Sequence, residues 1–363
     1  MMRVRTYLDH NATSPLRPSV KAAMLKAMEQ GGNASSIHAE GRAAHKIMDD
    51  AREAIAFKLG CLPQMIAFTS GGTEANNMAL RGVAVERFLI SAIEHPSVLA
   101  AARASGQSVE IIPVDAQGRV DLAALEIRLA GPKALVSIML ANNETGVVQD
   151  MGTIAPRVTA AGHLLHIDAV QGFGKLPVNF GLLGCDILTI GAHKVGGPTG
   201  IGALVIRDGL VIEPLLQGGG QELRRRAGTE NIPAIAGFGA LAAEPLLDQS
   251  TLRDKLESAL EGASVFSNKA TRLSNTSCFA LPGLKAESLL MNYDLEGIAV
   301  SSGSACSSGK VQQSRVLQAM GVEPALAQGA IRVSLGWNTT EQDINHFIAV
   351  TEKLHTRSKA KAA

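Results

Sequence analysis

The sequence lacks an excess of charge of either sign. Lys and Arg number 34 against 33 Asp and Glu, a formal balance of +1 over 363 residues. This argues against a broad electrostatic footprint for nucleic acid, though not against a local basic patch, and no direct nucleic-acid binding is expected. Cysteine is scarce: Cys61, Cys185, Cys278 and Cys306 lie far apart with no C-x-x-C pair. A disulfide framework, a zinc ribbon and a thioredoxin motif are thereby excluded. No stretch approaches ~18 uncharged apolar residues, so no membrane-spanning helix is expected. The start, Met1 to His10, has no apolar h-region, so no secretory signal is expected. Neither G-x-x-x-x-G-K-[ST] nor a G-x-G-x-x-G after a first strand occurs, so a P-loop NTPase and a dinucleotide site are not indicated. There is no internal repeat and no low-complexity linker. What remains is a cytoplasmic, thiol-reduced protein of ordinary composition.

At roughly 100–200 residues per domain, the length suggests about two domains. Hydrophobic residues make up 46%, enough for a sizeable core, and Gly 37 calls for many tight turns. Apolar runs of strand length recur at 65–68, 88–92, 109–114, 134–140, 163–167, 187–190 and 202–206, with helical patterns at 73–83 and 96–104. That alternation predicts an α/β fold with a mostly parallel sheet and helices on both faces. Ligands then bind beyond the carboxyl ends of the strands. After about Gly239 the texture changes. A helix is expected over 241–260, then shorter strands near 276–281 and 330–335, read as a smaller second domain. The tail from His355 onward reads as a frayed terminus.

Polar residues cluster at the strand ends. Gly71-Gly72-Thr73, Glu94-His95, Asn142-Asn143, Asp168 and His193-Lys194 each follow an apolar run. In Asp186 to Gly200, a buried strand delivers Lys194 into a glycine-rich turn. A desolvated lysine amine has a lowered pKa and can form a Schiff base; a surface lysine beside a hairpin fits these residues equally well. Asp168 ends an apolar strand and needs a cationic partner, such as a pyridinium nitrogen, or it caps the next helix. The Gly71-Gly72-Thr73 turn before a helix suits a phosphate, although such turns are frequent. Cys306 sits in Ser301-Ser302-Gly303-Ser304-Ala305-Cys306-Ser307-Ser308-Gly309, with no apolar neighbours to bury it, and reads as a reachable nucleophile. The other three cysteines lie beside apolar runs and read as structural.

Taken together, these motifs resemble the pyridoxal-phosphate-dependent cysteine desulfurases of the NifS/IscS type, within the class V aminotransferases. The resemblance runs in family order from Asp9-His10-Asn11 through Asn33-Ala34-Ser35-Ser36-Ile37-His38 and the strand-end motifs. It continues through Arg226-Ala227-Gly228-Thr229-Glu230-Asn231 and Cys306 to Ile331-Arg332-Val333-Ser334. It implies a fold type I pyridoxal-phosphate transferase, acting as a homodimer with shared active sites. The implied division is an N-terminal segment, 1–15, packing with the small domain; a large cofactor-binding domain, 16–245; and a small α+β domain, 246–363, carrying the cysteine loop.

The resemblance also implies roles. Lys194 would hold pyridoxal 5'-phosphate covalently and move the α-proton. Asp168 would pair with the pyridinium nitrogen, and His95 would stack on the ring and assist proton transfer. Gln171 and Asn143 would hydrogen-bond near the ring oxygen. Gly72, Thr73 and His193 would hold the phosphate, with Thr229 reaching it from the other subunit. Asn11, Asn143 and Arg332 would bind substrate L-cysteine. Cys306 would take the sulfur as a persulfide for an acceptor, with alanine released. No metal is implied in the cofactor site, though Cys306 could ligate a cluster transiently.

Three departures from the family pattern stand out. Gly191 replaces a common serine at the phosphate, and Ser307-Ser308-Gly309-Lys310 follows Cys306. Little sequence follows the helix expected to end near Leu354, where relatives dock an iron–sulfur scaffold protein. Competing readings are a selenocysteine lyase, a kynureninase-like hydrolase, an aminotransferase, or a cofactor-binding regulator without turnover. The thiol counts against an aminotransferase, and retention of Lys194, His95, Asp168 and Cys306 counts against a regulator.

Overall fold

Residues along the central strands alternate between two hydrophobic layers, and this period of two organises the molecule. The computed structural model describes residues 5–302 and 313–362, with side chains as far as residue 357. In chain order the strands are β1 (Thr6–Tyr7), β2 (Ile66–Thr69), β3 (Arg87–Ser91), β4 (Ser108–Ile112), β5 (Ala134–Ser137), β6 (Leu164–Asp168) and β7 (Ile187–Gly191). They continue as β8 (Gly202–Ile206), β9 (Ser264–Val265), β10 (Thr276–Ala280), β11 (Ile298–Ala299), β12 (Ser301–Ser302) and β13 (Ala330–Ser334). Seven form the main sheet in the order β2-β8-β7-β6-β5-β3-β4. All neighbours are parallel except β8, which is antiparallel to both β2 and β7. The chain between β7 and β8 is too short for a parallel crossover, which needs about a dozen residues or more.

Leu89, Val136, Leu165, Ile167, Leu188, Ile190 and Val205 face one layer, covered by helices Pro18–Gln30, Ala39–Leu59 and Ile232–Ala242. Phe88, Ile90, Leu135, Leu164, Ile187, Leu204 and Ile206 face the other, under helices Gly72–Gly82 and Pro96–Ala104. A sheet buried on both faces reads as near-continuous apolar runs, as these strands do. Asp168 shares the parity of Leu164 and His166, so it emerges on the face carrying helix Gly72–Gly82. Chain order reverses between β3 and β5, which opens a crevice at their carboxyl ends.

The second sheet is four-stranded, β12-β13-β10-β9, and antiparallel throughout. Its Phe279, Ile331 and Val333 pack with Leu8, Tyr293, Ile344 and Phe347. Its other face, with Cys278, Ala280 and Ala330, meets Ile93 and Met139 from the main-sheet loops. The N-terminal segment joins this region: β1 pairs with β11, and Asp9 bridges to Ser334.

The structure corrects two expectations. The helix expected over 241–260 is two helices, Ile232–Ala242 and Ser250–Ser258, interrupted near Pro245, which cannot donate a helical hydrogen bond. The tail expected to fray belongs to helix Glu341–Ala362. Among the described residues, no helix is long and apolar enough to cross a membrane.

Candidate active site

A cavity of about 340 Å³ lies at the carboxyl ends of β5, β6 and β7, beneath the four-stranded sheet. Asn11, Gly72, Thr73, His95, Asn143, Asp168, Gln171, His193, Lys194 and Arg332 all line it. Ten of the expected site residues, from segments remote in sequence, thus share one space. Two other hollows, of about 450 and 770 Å³, are larger, but neither joins a strand-end acid, a buried amine and a guanidinium.

Lys194 sits in the short 3-10 turn His193–Val195 directly after β7. Gly196, at φ +94, and Gly197, where a Cβ would lie 2.7 Å from the Ala192 oxygen, let the chain turn away sharply. The Lys194 Nζ donates to the Ala12 carbonyl at 2.8 Å. Burial, then the Arg332 charge, lower its pKa to about 8, against the opposing pull of Asp9 and Asp168. The cavity therefore contains an amine with a usable uncharged fraction near neutrality.

Asp168 ends β6 only 5% exposed. Its carboxylate accepts from the Asn76 Nδ2 at 2.8 Å and from the Val170 amide at 2.9 Å. Asn76 also donates to the Ser97 Oγ at 2.9 Å, and that hydroxyl lies 2.7 Å from the His95 Nδ1. The Ser97 amide also donates to Nδ1, at 3.2 Å, because His95 caps helix Pro96–Ala104. With two donors on Nδ1, the neutral ring carries its proton on Nε2. Burial keeps the ring neutral by lowering its pKa, aided by Lys194 and Arg315, while Asp168 pulls the other way. Behind this chain, Glu94 is buried. Its Oε1 accepts from the Met139 amide at 2.5 Å, and its Oε2 has no partner among the described residues. Burial, then the charge of Asp168, raise the Glu94 pKa well above the carboxylate range.

Arg332 enters from β13, opposite Ser301 of β12 and Cys278 of β10. It donates to the Asp9 carboxylate at 2.7 Å and the Asn143 carbonyl at 3.1 Å. Its Nε is buried without a partner among the described residues, so part of the five-donor fork remains uncommitted. Asn11 is engaged differently from the expectation of a substrate ligand. Its Oδ1 accepts from Lys175 at 2.7 Å and Asn275 at 3.2 Å, and its Nδ2 donates to Thr276 at 2.9 Å and to the Asn143 carbonyl at 3.3 Å. Protein partners thus saturate its amide, although the residue borders the cavity.

Does pyridoxal phosphate fit these residues? Helix Gly72–Gly82 begins at the cavity wall, capped by Gly71 at φ +147 with no side-chain cap. Its first N–H groups have no intrahelical partner, and the helix end favours an anion. A Cβ on Gly72 would lie 2.7 Å from the Val170 Cγ2, so only glycine leaves this wall open. His193 borders the same wall, its pKa lowered to about 4 by burial and then by Lys194 and Lys175, so it is neutral. The buried Asp168 carboxylate suits a pyridinium N–H, and the Lys194 amine suits an aldehyde. The donor set therefore matches phosphate, ring nitrogen and carbonyl carbon in one cavity. Gly191, expected as a weak point, has room: a Cβ there would meet Val170 at 3.4 and 3.7 Å, ordinary contact.

Thr229 does not join the cavity. It lines a separate hollow with Glu222, Arg226 and Asn231. Cys306 lies outside the described residues. Cys185 and Cys278 are buried, and burial raises the thiol pKa of both and of Cys61, that of Cys61 to about 11, which leaves them protonated. Sequence reasoning gave no role to Asn76, Ser97 or Lys175. Asn76 falls one helical turn after Gly72, and Lys175 one turn after Gln171, so their spacing was the available signal.

Comparison with known proteins agrees with this geometry. The model of the family described as aminotransferase class-V matches residues 6–347. A cysteine desulfurase IscS from Dictyoglomus turgidum is 40% identical, covering 97% of this chain and 95% of that protein. A cysteine desulfurase from Rhodobacter capsulatus is 42% identical, covering 98% and 97%. The solved structure of a NifS-like protein from Rickettsia africae superposes with a TM-score of 0.90 at 38% identity, covering 97% of this chain and 99% of that one. Identity at this level over nearly the whole length, on the same fold, establishes that the chain belongs to the class-V aminotransferase family.

Proposed function

We propose that the protein is a pyridoxal-phosphate-dependent cysteine desulfurase, converting L-cysteine to L-alanine and passing the sulfur on as a persulfide. The observation that supports this most is the Lys194 amine, with its pKa lowered to about 8, in one cavity with Asp168 and Arg332. When bound, pyridoxal phosphate supplies an electron sink for a carbanion at the substrate Cα.

The chain's own residues do the rest. Gly72, Thr73 and His193 hold the phosphate, and Asp168 holds the ring nitrogen with a carboxylate fixed by Asn76. Arg332 takes the substrate carboxylate with the donors that Asp9 and Asn143 leave free. The Lys194 amine removes the Cα proton, and His95 works from Nε2 because Ser97 occupies Nδ1. The Cys306 thiolate attacks the substrate sulfur. An S–S bond forms as the C–S bond breaks, the electron pair stays on the carbon side, and a proton added at Cβ with one returned to Cα yields alanine. Both flanks of the Cys306 segment attach beside the cavity. Ser301 and Ser302 pair with the strand carrying Arg332, and the Ser314 hydroxyl donates to the Glu144 carboxylate at 2.5 Å, next to Asn143. The working unit is a homodimer in which Thr229 serves the partner's site, and the persulfide passes to a sulfur-acceptor protein.

The test is to incubate the loaded protein with L-cysteine and a reducing thiol, then quantify alanine and sulfide. Equal yields, lost in Lys194→Ala and Cys306→Ala, are expected. Alanine formation that survives Lys194→Ala overturns the reading, and turnover of selenocysteine alone shifts it to a lyase for that substrate.

A further inference from the structure

Among the buried ionisable groups that the mechanism leaves without a task is Lys175. It is 5% exposed, seven residues after Asp168 in the turn that also carries Gln171. Among the described residues, no carboxylate lies within ion-pair distance of it, and its charged neighbours are Lys194 and Arg332. A lysine buried among cations with no counter-charge is costly to keep protonated. Its pKa is driven well below the ordinary value, by burial first and then by those two charges.

Two amide oxygens receive N–H bonds from the Lys175 amine. Nζ lies 2.6 Å from the Gln171 Oε1 and 2.7 Å from the Asn11 Oδ1. Donating to both oxygens, Lys175 favours the orientation of each amide that turns its oxygen toward Nζ. Gln171 must turn its Nε2 away from Lys175, where it donates to the Asn11 carbonyl at 3.0 Å and keeps a second N–H. Gln171 borders the cavity, so this N–H is the group it has to offer there. Asn11, with Oδ1 occupied, places its Nδ2 on Thr276 and the Asn143 carbonyl.

We propose that Lys175 is a positioning residue: its buried amine locks Gln171 as a hydrogen-bond donor toward the cofactor's ring oxygen and ties that wall to Asn11 of the N-terminal segment. The inference rests on the proposed pyridoxal-phosphate site, but not on cysteine as the substrate. Without Lys175 the Gln171 amide can flip, presenting a carbonyl to an oxygen it should donate to.

The test compares Lys175→Met, which keeps the length and loses the donors, with Lys175→Gln as a second variant should the first not fold. Each is made alone and in a Gln171→Leu background. Three quantities are measured: the dissociation constant of pyridoxal phosphate from the apo-protein by fluorescence, the absorbance maximum of the loaded protein, and the thermal midpoint of the apo-protein. Lys175→Met should weaken cofactor binding about tenfold, the worth of one oriented hydrogen bond, and shift the absorbance band. In the Gln171→Leu background it should do neither. A change confined to the thermal midpoint, or effects that add to those of Gln171→Leu, overturns the proposal. A wild-type protein that binds pyridoxal phosphate but yields no alanine from cysteine overturns the functional reading instead, and leaves these readouts intact.

Discussion

Glu144 links the protein's stability to pH through one carboxyl group, and replacing it by glutamine removes that link. The carboxyl accepts a hydrogen bond from Ser314, yet burial raises its pKa to about 7, against the pull of Ser314, Arg332 and Arg315. In the unfolded chain it titrates near the ordinary 4.5. Between these values the folded protein holds a proton that the unfolded chain has released. The sign follows: stability is fully present below 4.5, falls as pH rises toward 7, and stays at the lower level above. At ~1.4 kcal/mol per pH unit the loss would be about 3 kcal/mol. Glu144 is only partly buried, and solvent screening reduces this to about 1–2 kcal/mol. Glutamine keeps a carbonyl for Ser314 and never ionises. The assay is urea unfolding of the apo-protein, wild type and Glu144→Gln, at pH 5 and pH 8. The variant should gain about 1–2 kcal/mol on the wild type between the two conditions. A difference independent of pH, or a gain at pH 5, would refute the reasoning and mean that the two arginines hold Glu144 charged throughout.

Other consequences are equally accessible. In the apo-protein, reductive methylation of Lys194 should follow a midpoint near pH 8, and Arg332→Met should move it upward, because the Arg332 charge opposes protonation; peptide mapping by mass spectrometry reads both. Glu222 is 5% exposed, binds the Arg52 guanidinium through two bonds of 2.9 Å and accepts the Phe68 amide at 2.8 Å. Glu222→Ala should therefore cost about 3–5 kcal/mol in urea unfolding by leaving Arg52 buried and unpaired. Gly191→Ser should fold normally, since its Cβ makes only ordinary contacts with Val170. It should also tighten pyridoxal-phosphate binding several-fold by adding a donor near the phosphate wall; titration of the apo-protein checks this.

The parts of the fold most legible in the sequence are those with a repeating apolar signal. The central strands β5, β6 and β7 read clearly because both faces of the main sheet are covered there, so each is a short, fully buried and largely apolar run. The same property makes Asp168, His95 and Lys194 conspicuous, since each is a charged or polar group standing at or just beyond the end of such a run. The two-residue strands β1, β9, β11 and β12 carry no such signal. Their pairing comes from tertiary contact, and two residues cannot show a period. The break near Pro245 was misread because Leu246 and Leu247 continue the apolar content across it. Lys175 and Asn76 stayed hidden for a different reason. Their importance lies in which amide or carboxylate each one orients, and that depends on segments more than 90 residues away, as in the Asn76–Asp168 and Lys175–Asn11 bonds.

The pairing of β12 with β13 divides the cavity's labour mechanically. Arg332 is in register with Ser301, so the guanidinium and the near root of the Cys306 segment belong to one hydrogen-bonded sheet. Asp168 and Lys194 hang from the other, at the ends of β6 and β7. Any shear between the two sheets carries Arg332 and Ser301 together, as a jaw, against an anvil of Asp168 and Lys194. A probe on each sheet would therefore report their relative displacement as a single distance.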